Sequence, residues 1–178
     1  MKTLTKGNWK ELDPVGEVFL WLNTETGETG SLFPDRWLDE VLRPQLTENV
    51  PEDVVQLFEA ARGAMLYGCF YYPLFALGKD QLHRVAEAAV TVKYETLRGP
   101  TRKDKRHQAD FNSRIAWLKA NSHMTPEDWD EWNWVRKARN EGSHLNSKRI
   151  YPPMPSVLAL EETALRINRL FEHSENQT

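Results

Sequence analysis

The run Arg139-Asn140-Glu141-Gly142-Ser143-His144 places an arginine, a side-chain amide and a histidine within about one and a half helical turns. These three residue types are enough to cleave RNA without a metal. In that reaction a ribose 2′-hydroxyl attacks the adjacent phosphorus and the bond to the 5′-oxygen breaks, leaving a cyclic phosphate and a 5′-hydroxyl. The reaction needs a base, an acid and a stabiliser for charge on the phosphate oxygens. His144 titrates near neutrality and can serve as acid or base. Arg139 can grip the phosphate bidentately. Asn140 can hold the imidazole or a phosphate oxygen. Arg139, Asn140 and His144 are the candidate catalytic residues, and the chemistry requires no cofactor or metal.

Spacing alone does not carry this reading, because Arg102 and His107 repeat the Arg-x4-His interval. Context separates the two copies. Thr125-Pro126-Glu127-Asp128 has the form of a helix start, with Thr as N-cap, Pro at the first position and acids in the first turn. The predicted helix runs from there towards His144. Residues advance about 100° each along it, so Trp129, Trp132, Val135, Ala138 and Gly142 share an apolar arc. Asn133, Lys137, Asn140 and His144 share a polar stripe. Arg139 falls inside the apolar arc and needs an anionic partner there. Glu87 is the first choice as an orienting carboxylate and Glu95 the second. Arg139 and His144 are ~140° apart on a regular helix. They converge through the length of Arg or through loosening at Gly142. The competing reading is a structural Arg–Glu pair beside a surface His.

The charge distribution points the same way. The net charge of −3 is not that of a dedicated nucleic-acid binder, yet it is unevenly spread. Residues 1–92 carry 8 basic and 14 acidic groups, a net −6, whereas residues 93–149 carry 13 and 8, a net +5. The positive third holds the Arg139 run and the cluster Arg98, Arg102, Lys103, Lys105 and Arg106. A local basic field attracts phosphate even on an acidic molecule. Arg102, Lys103, Lys105 and Arg106, with Arg136 and Lys137 on the Trp-rich helix, are the candidate RNA-binding residues. A solvated basic loop is the alternative for the cluster.

At 178 residues, 40% apolar and 28% charged, the chain has the size and composition of one globular domain. A single cysteine in an apolar run, Cys69, reads as core and suits a reducing cytoplasm. No export signal or membrane-spanning stretch is legible, so a cytoplasmic location with no membrane partner is expected. The pattern predicts an all-α bundle of about five helices over residues 51–178. Residues 1–50 form a small irregular or short-strand N-terminal extension that packs on it. Glu17–Leu22 reads as a strand followed by a turn, and Pro34–Leu38 opens a short helix. Helices are predicted from Pro51, over Lys79–Leu97 after a break between Gly68 and Gly78, over Phe111–Asn121, from Thr125, and over Val157–Phe171 after a proline-rich break. Trp134 and the Tyr71-Tyr72 run read as exposed aromatics suited to an interface.

Other chemistry is weaker. Gly63, Gly68 and Gly78 form no phosphate loop. His83, His107, His123 and His173 lack metal-ligand spacing, and no nucleophile elbow is present.

With Arg139-Asn140-x3-His144 near the end of a bundle helix, the chain resembles the HEPN superfamily of higher eukaryote and prokaryote nucleotide-binding domains. The stretch from Ala60 through the Tyr71-Tyr72-Pro73 run to Ala89, and the helix bearing Arg166-Ile167-Asn168-Arg169-Leu170, are similar to stand-alone bacterial members. The resemblance covers roughly residues 50–172. It implies a helical bundle that dimerises so that two motifs face one cleft. It also implies a metal-independent ribonuclease of toxin–antitoxin, phage-defence or RNA-processing systems, with an antitoxin or other regulatory protein as a further partner. One subgroup has a Tyr two residues after the His; here Asn146 stands there. Some members only bind RNA, a nucleotide or a protein partner, and that non-catalytic role is the alternative.

Overall fold

The computed structural model of the chain describes residues 2–98, 110–142 and 152–172, the side chains of 138–142 excepted. Among them are six α-helices and one two-stranded sheet, a mostly helical fold. Asp13 organises the N-terminal segment. Its side chain accepts from the backbone N–H groups of Val15 (3.1 Å) and Tyr72 (3.1 Å), and its own N–H donates to the Cys69 carbonyl (2.8 Å). With Asp13 as cap and Pro14 at the first position, Pro14–Val18 winds into a 3-10 helix. The strand predicted from Glu17 is therefore shorter. β1 is Leu20–Leu22, and it pairs antiparallel with β2, Thr29–Ser31, with Trp21 opposite Gly30.

Burial raises the Asp13 carboxyl pKa, but the N–H donors of Tyr72, Val15 and Lys2 outweigh it and hold the group below its ordinary value. The stabilisation is therefore complete above the unfolded carboxyl pKa of ~3.9 and is lost as pH falls through the folded value. Asp13→Ala should cost about 1–3 kcal/mol at neutral pH by orphaning buried donors. The gap from wild type in urea unfolding should narrow in acid; a pH-independent gap would place the effect elsewhere.

α1 (Asp35–Leu42) buries Trp37 completely, and the indole N–H reaches the Met65 and Leu66 carbonyls, both at 3.2 Å. α2 (Glu52–Leu66) leads into a 3-10 turn, Tyr67–Cys69. α3 spans Leu74–Arg98 and starts five residues earlier than the sequence predicts. Pro73 directly precedes the first turn, where no backbone N–H is required, so it opens the helix rather than interrupting it. Gly78 lies inside α3 because α2 crosses there: a Cβ would sit 2.6 Å from Met65 Cγ and 3.1 Å from the Ala61 carbonyl. Gly78→Val should force the helices apart and cost about 1–3 kcal/mol in denaturant unfolding. A neutral result would contradict the close crossing.

α4 is Phe111–Ala120, α5 is Pro126–Gly142 and α6 is Pro153–Glu172. Thr125 caps α5 as predicted, its Oγ1 accepting from the Asp128 N–H at 3.1 Å. α6 begins at Pro153 rather than Val157, since Pro153 and Pro155 fall in a first turn that tolerates them. Its predicted stripe of Leu160, Ala164, Ile167 and Leu170 is buried.

α3 is the central helix and touches α2, α4, α5 and α6. Side-chain pairs give the directions. Thr91 meets Arg114 and Tyr94 meets Trp117, so α3 and α4 run the same way. Phe111 meets Trp132 and Lys119 meets Trp129, so α5 runs opposite to α4. Asp128 and Glu131 pair with Arg169 and Arg166, so α6 runs opposite to α5. Leu32, Phe33, Trp37 and Val41 join residues of α2, α3 and α6 in one core. Asn168 of α6 clips the α1–α2 link, accepting from the Thr47 N–H (2.9 Å) and donating to the Gln45 carbonyl (3.0 Å). Among the described residues no helix is long and apolar enough to cross a membrane.

Candidate active site

The helix that carries the motif forms for the reasons legible in its sequence. Trp132 is buried, Trp129 and Val135 are half-buried against the core, and Trp134 is 61% exposed. Arg139 and Asn140 lie on the last turn of α5, which ends at Gly142; their side chains are outside the described set. His144 and the basic cluster Arg102, Lys103, Lys105 and Arg106 also lie outside the described residues. Of the other predicted site residues, Lys137 is exposed, and half-buried Arg136 donates from Nε to Asn133 Oδ1 at 3.0 Å.

Glu87 is half-buried on α3, one turn before Thr91. Thr91 Oγ1 donates to the Glu87 carbonyl (2.7 Å) and accepts from Arg114 Nη1 (2.7 Å). Because α3 and α4 run the same way, Glu87 is level with the first turn of α4. Asp110 caps that turn, accepting from the Ser113 N–H at 2.7 Å. Its carboxyl is held below its ordinary value, first by Ser113 and then by the charges of Arg114 and Arg136. Phe111, at the start of α4, meets Trp132 in the middle of α5; Arg136 follows one turn later, in reach of the Asp110 field, and Arg139 about 4.5 Å beyond it along the helix axis. Glu87 stands midway along α3, and the pairing of the Arg139 side chain lies outside the described set. Glu95 is two turns away from Glu87 and exposed, which makes it the poorer partner for a buried guanidinium.

Three half-buried or capping polar residues here were not singled out from sequence: Thr91, Asp110 and Arg114. Glu87 and Thr91 sit at i,i+4, and Asp110 precedes a helix, so the local signals exist. That Arg114 reaches the same seam follows only from the register of α4 on α3.

The other candidates take structural places. Tyr72, expected among exposed aromatics, is buried: it stacks on Phe19 (6.1 Å between centroids) and meets Phe75 edge-on (5.3 Å). Its N–H is the one held by Asp13, and that tie turns the ring inward. Burial pushes the Cys69 thiol up to about 11, which keeps it protonated at neutral pH. His123 stacks on Trp117 at 5.9 Å. Arg166 and Arg169 are engaged with Glu131, and Arg166 with Glu162 as well, binding α6 to α5.

Comparison with known proteins adds no relative: no family model, no curated protein and no solved structure matches the chain.

Proposed function

We propose that the chain is a HEPN-like, metal-independent endoribonuclease that acts as a homodimer and cleaves RNA by 2′-hydroxyl attack. The observation that carries the reading is the position of the motif. Arg139 and Asn140 close a Trp-rich helix whose final turns also carry Arg136, and Arg136 shares the field of Asp110 with the half-buried Arg114 of α4. Such an end suits a phosphodiester, because guanidinium groups there meet charge that builds on phosphate oxygens.

In this reading Arg139 binds the scissile phosphate and Glu87 orients it. His144 supplies or removes a proton, and Asn140 holds the imidazole or a phosphate oxygen. A single His would have to act as base and then acid in turn. A two-fold dimer supplies two, one for each role, and an isologous contact sets identical helix ends opposite each other. Trp134 on the same helix offers an apolar anchor for that contact. A toxin or phage-defence role, with an antitoxin or other regulatory protein restraining the nuclease, follows from the same resemblance.

The test is incubation of the purified protein with assorted RNAs and matched DNAs in EDTA, beside sedimentation at micromolar concentration. Cleavage of RNA alone by a dimer is expected, because DNA lacks the attacking hydroxyl. A monomer that still cleaves would remove the shared-site arrangement. Binding without cleavage by every preparation would favour the non-catalytic module.

A further inference from the structure

The buried and half-buried arginines among the described residues fall into two groups. Arg62, Arg166 and Arg169 are each ion-paired: Arg62 with Glu59 at 3.1 Å, Arg166 with Glu131 at 3.1 Å and Glu162 at 3.0 Å, and Arg169 with Asp128 at 3.6 Å and Glu131 at 2.5 Å. Arg114 and Arg136 are also half-buried, yet neither forms an ion pair with a described carboxylate. Their hydrogen bonds go to neutral oxygens, Thr91 Oγ1 for Arg114 and Asn133 Oδ1 for Arg136. A guanidinium drawn partly out of water without a counter-charge is costly unless an anion completes it.

Both groups lie in the field of one carboxylate, that of Asp110, and this does not neutralise them. Asp110 is committed to capping α4 through Ser113 and stands beyond ion-pair distance of either arginine. The junction of α3, α4 and α5 thus holds two half-buried guanidinium groups, neither of them within ion-pair distance of a described carboxylate. Arg114 is also fixed in place. Its Nη1 bonds to Thr91 Oγ1, and that hydroxyl is itself tied to the Glu87 carbonyl on the preceding turn. A guanidinium held in this way loses little freedom when it binds a tetrahedral anion.

We propose that Arg114 and Arg136 form a phosphate-binding site at the α3–α4–α5 junction, which takes backbone phosphates of single-stranded RNA beside the Arg139 turn. The site deepens the ribonuclease reading and rests on it for the identity of the ligand. Arg114 and Arg136 position the strand, and Thr91 positions Arg114; none of them takes part in the proton transfers. The site lies one turn along α5 from Arg139, so a strand held there leads towards the motif.

The experiment measures binding of a fluorescein-labelled, 2′-O-methylated single-stranded RNA, which lacks the attacking hydroxyl, as a function of salt. Wild type is compared with Arg114→Gln/Arg136→Gln, Arg136→Gln alone, and Arg114→Lys/Arg136→Lys. The double Gln variant should bind at least about tenfold more weakly, and its log–log salt slope should shrink by about 0.7 for each phosphate left without its arginine. Arg136→Gln, which removes only one bond to Asn133, should lose part of that affinity with an unchanged circular dichroism spectrum. The Lys pair keeps the charge and should keep the salt slope. Unchanged affinity and slope in both Gln variants would overturn the proposal, as would a wild type that does not bind the RNA. If the arginine variants lose binding while wild type cleaves nothing in EDTA, the phosphate site stands and the nuclease reading falls. If His144-dependent cleavage is seen and the Gln variants bind like wild type, the reverse holds.

Discussion

His144→Ala should abolish RNA cleavage and leave the molecule folded and dimeric. Positioned acid–base groups contribute about 10²–10⁴-fold to rate, and in a shared site the substitution removes both histidines at once, so the loss should lie at or beyond the upper end. The stability cost should stay within about 0.5 kcal/mol, as for a surface change away from packing. The sequence phase expects His144 on the polar stripe of Asn133, Lys137 and Asn140, and among the described residues of α5 the buried ones are Asp128 and Trp132. The measurement pairs cleavage rate with thermal unfolding. A variant as active as wild type would remove His144 from the mechanism. A variant that loses activity only because it unfolds would make the residue structural.

Arg139→Ala should act on both activity and stability. Helical phase puts Arg139 on the arc of Trp132 and Val135, so the proposal gives its guanidinium a carboxylate partner, with half-buried Glu87 of α3 as first choice. Breaking a buried pair from one side costs roughly 3–5 kcal/mol, because the remaining charge is left uncompensated. A double-mutant cycle with Glu87→Ala decides the point. If the two residues pair, the double variant should be little less stable than Arg139→Ala alone. Additive losses would exclude the pair, and an unchanged melting temperature for Arg139→Ala would mean an exposed guanidinium that serves phosphate alone.

Much of the fold was legible where local chemistry and tertiary packing agree. Thr125-Pro126-Glu127-Asp128 starts α5 in both, and the Leu160–Leu170 stripe is the buried face of α6. The misjudged helix starts share one cause. Pro73, Pro153 and Pro155 read as breaks, but a proline at or before the first turn gives up only an N–H the helix does not use, and so marks a start. The strand from Glu17 was shortened by a cap at Asp13, two of whose partners, Tyr72 and Cys69, are more than fifty residues away. No local pattern carries that tie. The same tie buries Tyr72, although its aromatic run reads in sequence as either core or interface.

The candidate site shows the same division. The Arg139-Asn140-x3-His144 motif, for which Glu87 is the proposed carboxylate, is visible in sequence because it follows from residue type and helical phase. Thr91 and Arg114 are not, because their meaning lies in how α4 lies along α3 and in what Arg114 lacks. An arginine without a carboxylate looks the same in sequence as one that has found its partner, as Arg166 has.

The most direct measurement of the central claim is the chemistry of the cut ends. Purified protein and a defined RNA are incubated in EDTA, and the products are read by mass spectrometry beside a parallel His144→Ala preparation. Attack by the 2′-hydroxyl leaves a 2′,3′-cyclic phosphate on one fragment and a 5′-hydroxyl on the other. The account predicts these ends from the wild-type protein and intact RNA from the variant. Fragments bearing 3′-hydroxyl and 5′-phosphate ends, or the same products in equal amount from His144→Ala, would contradict it.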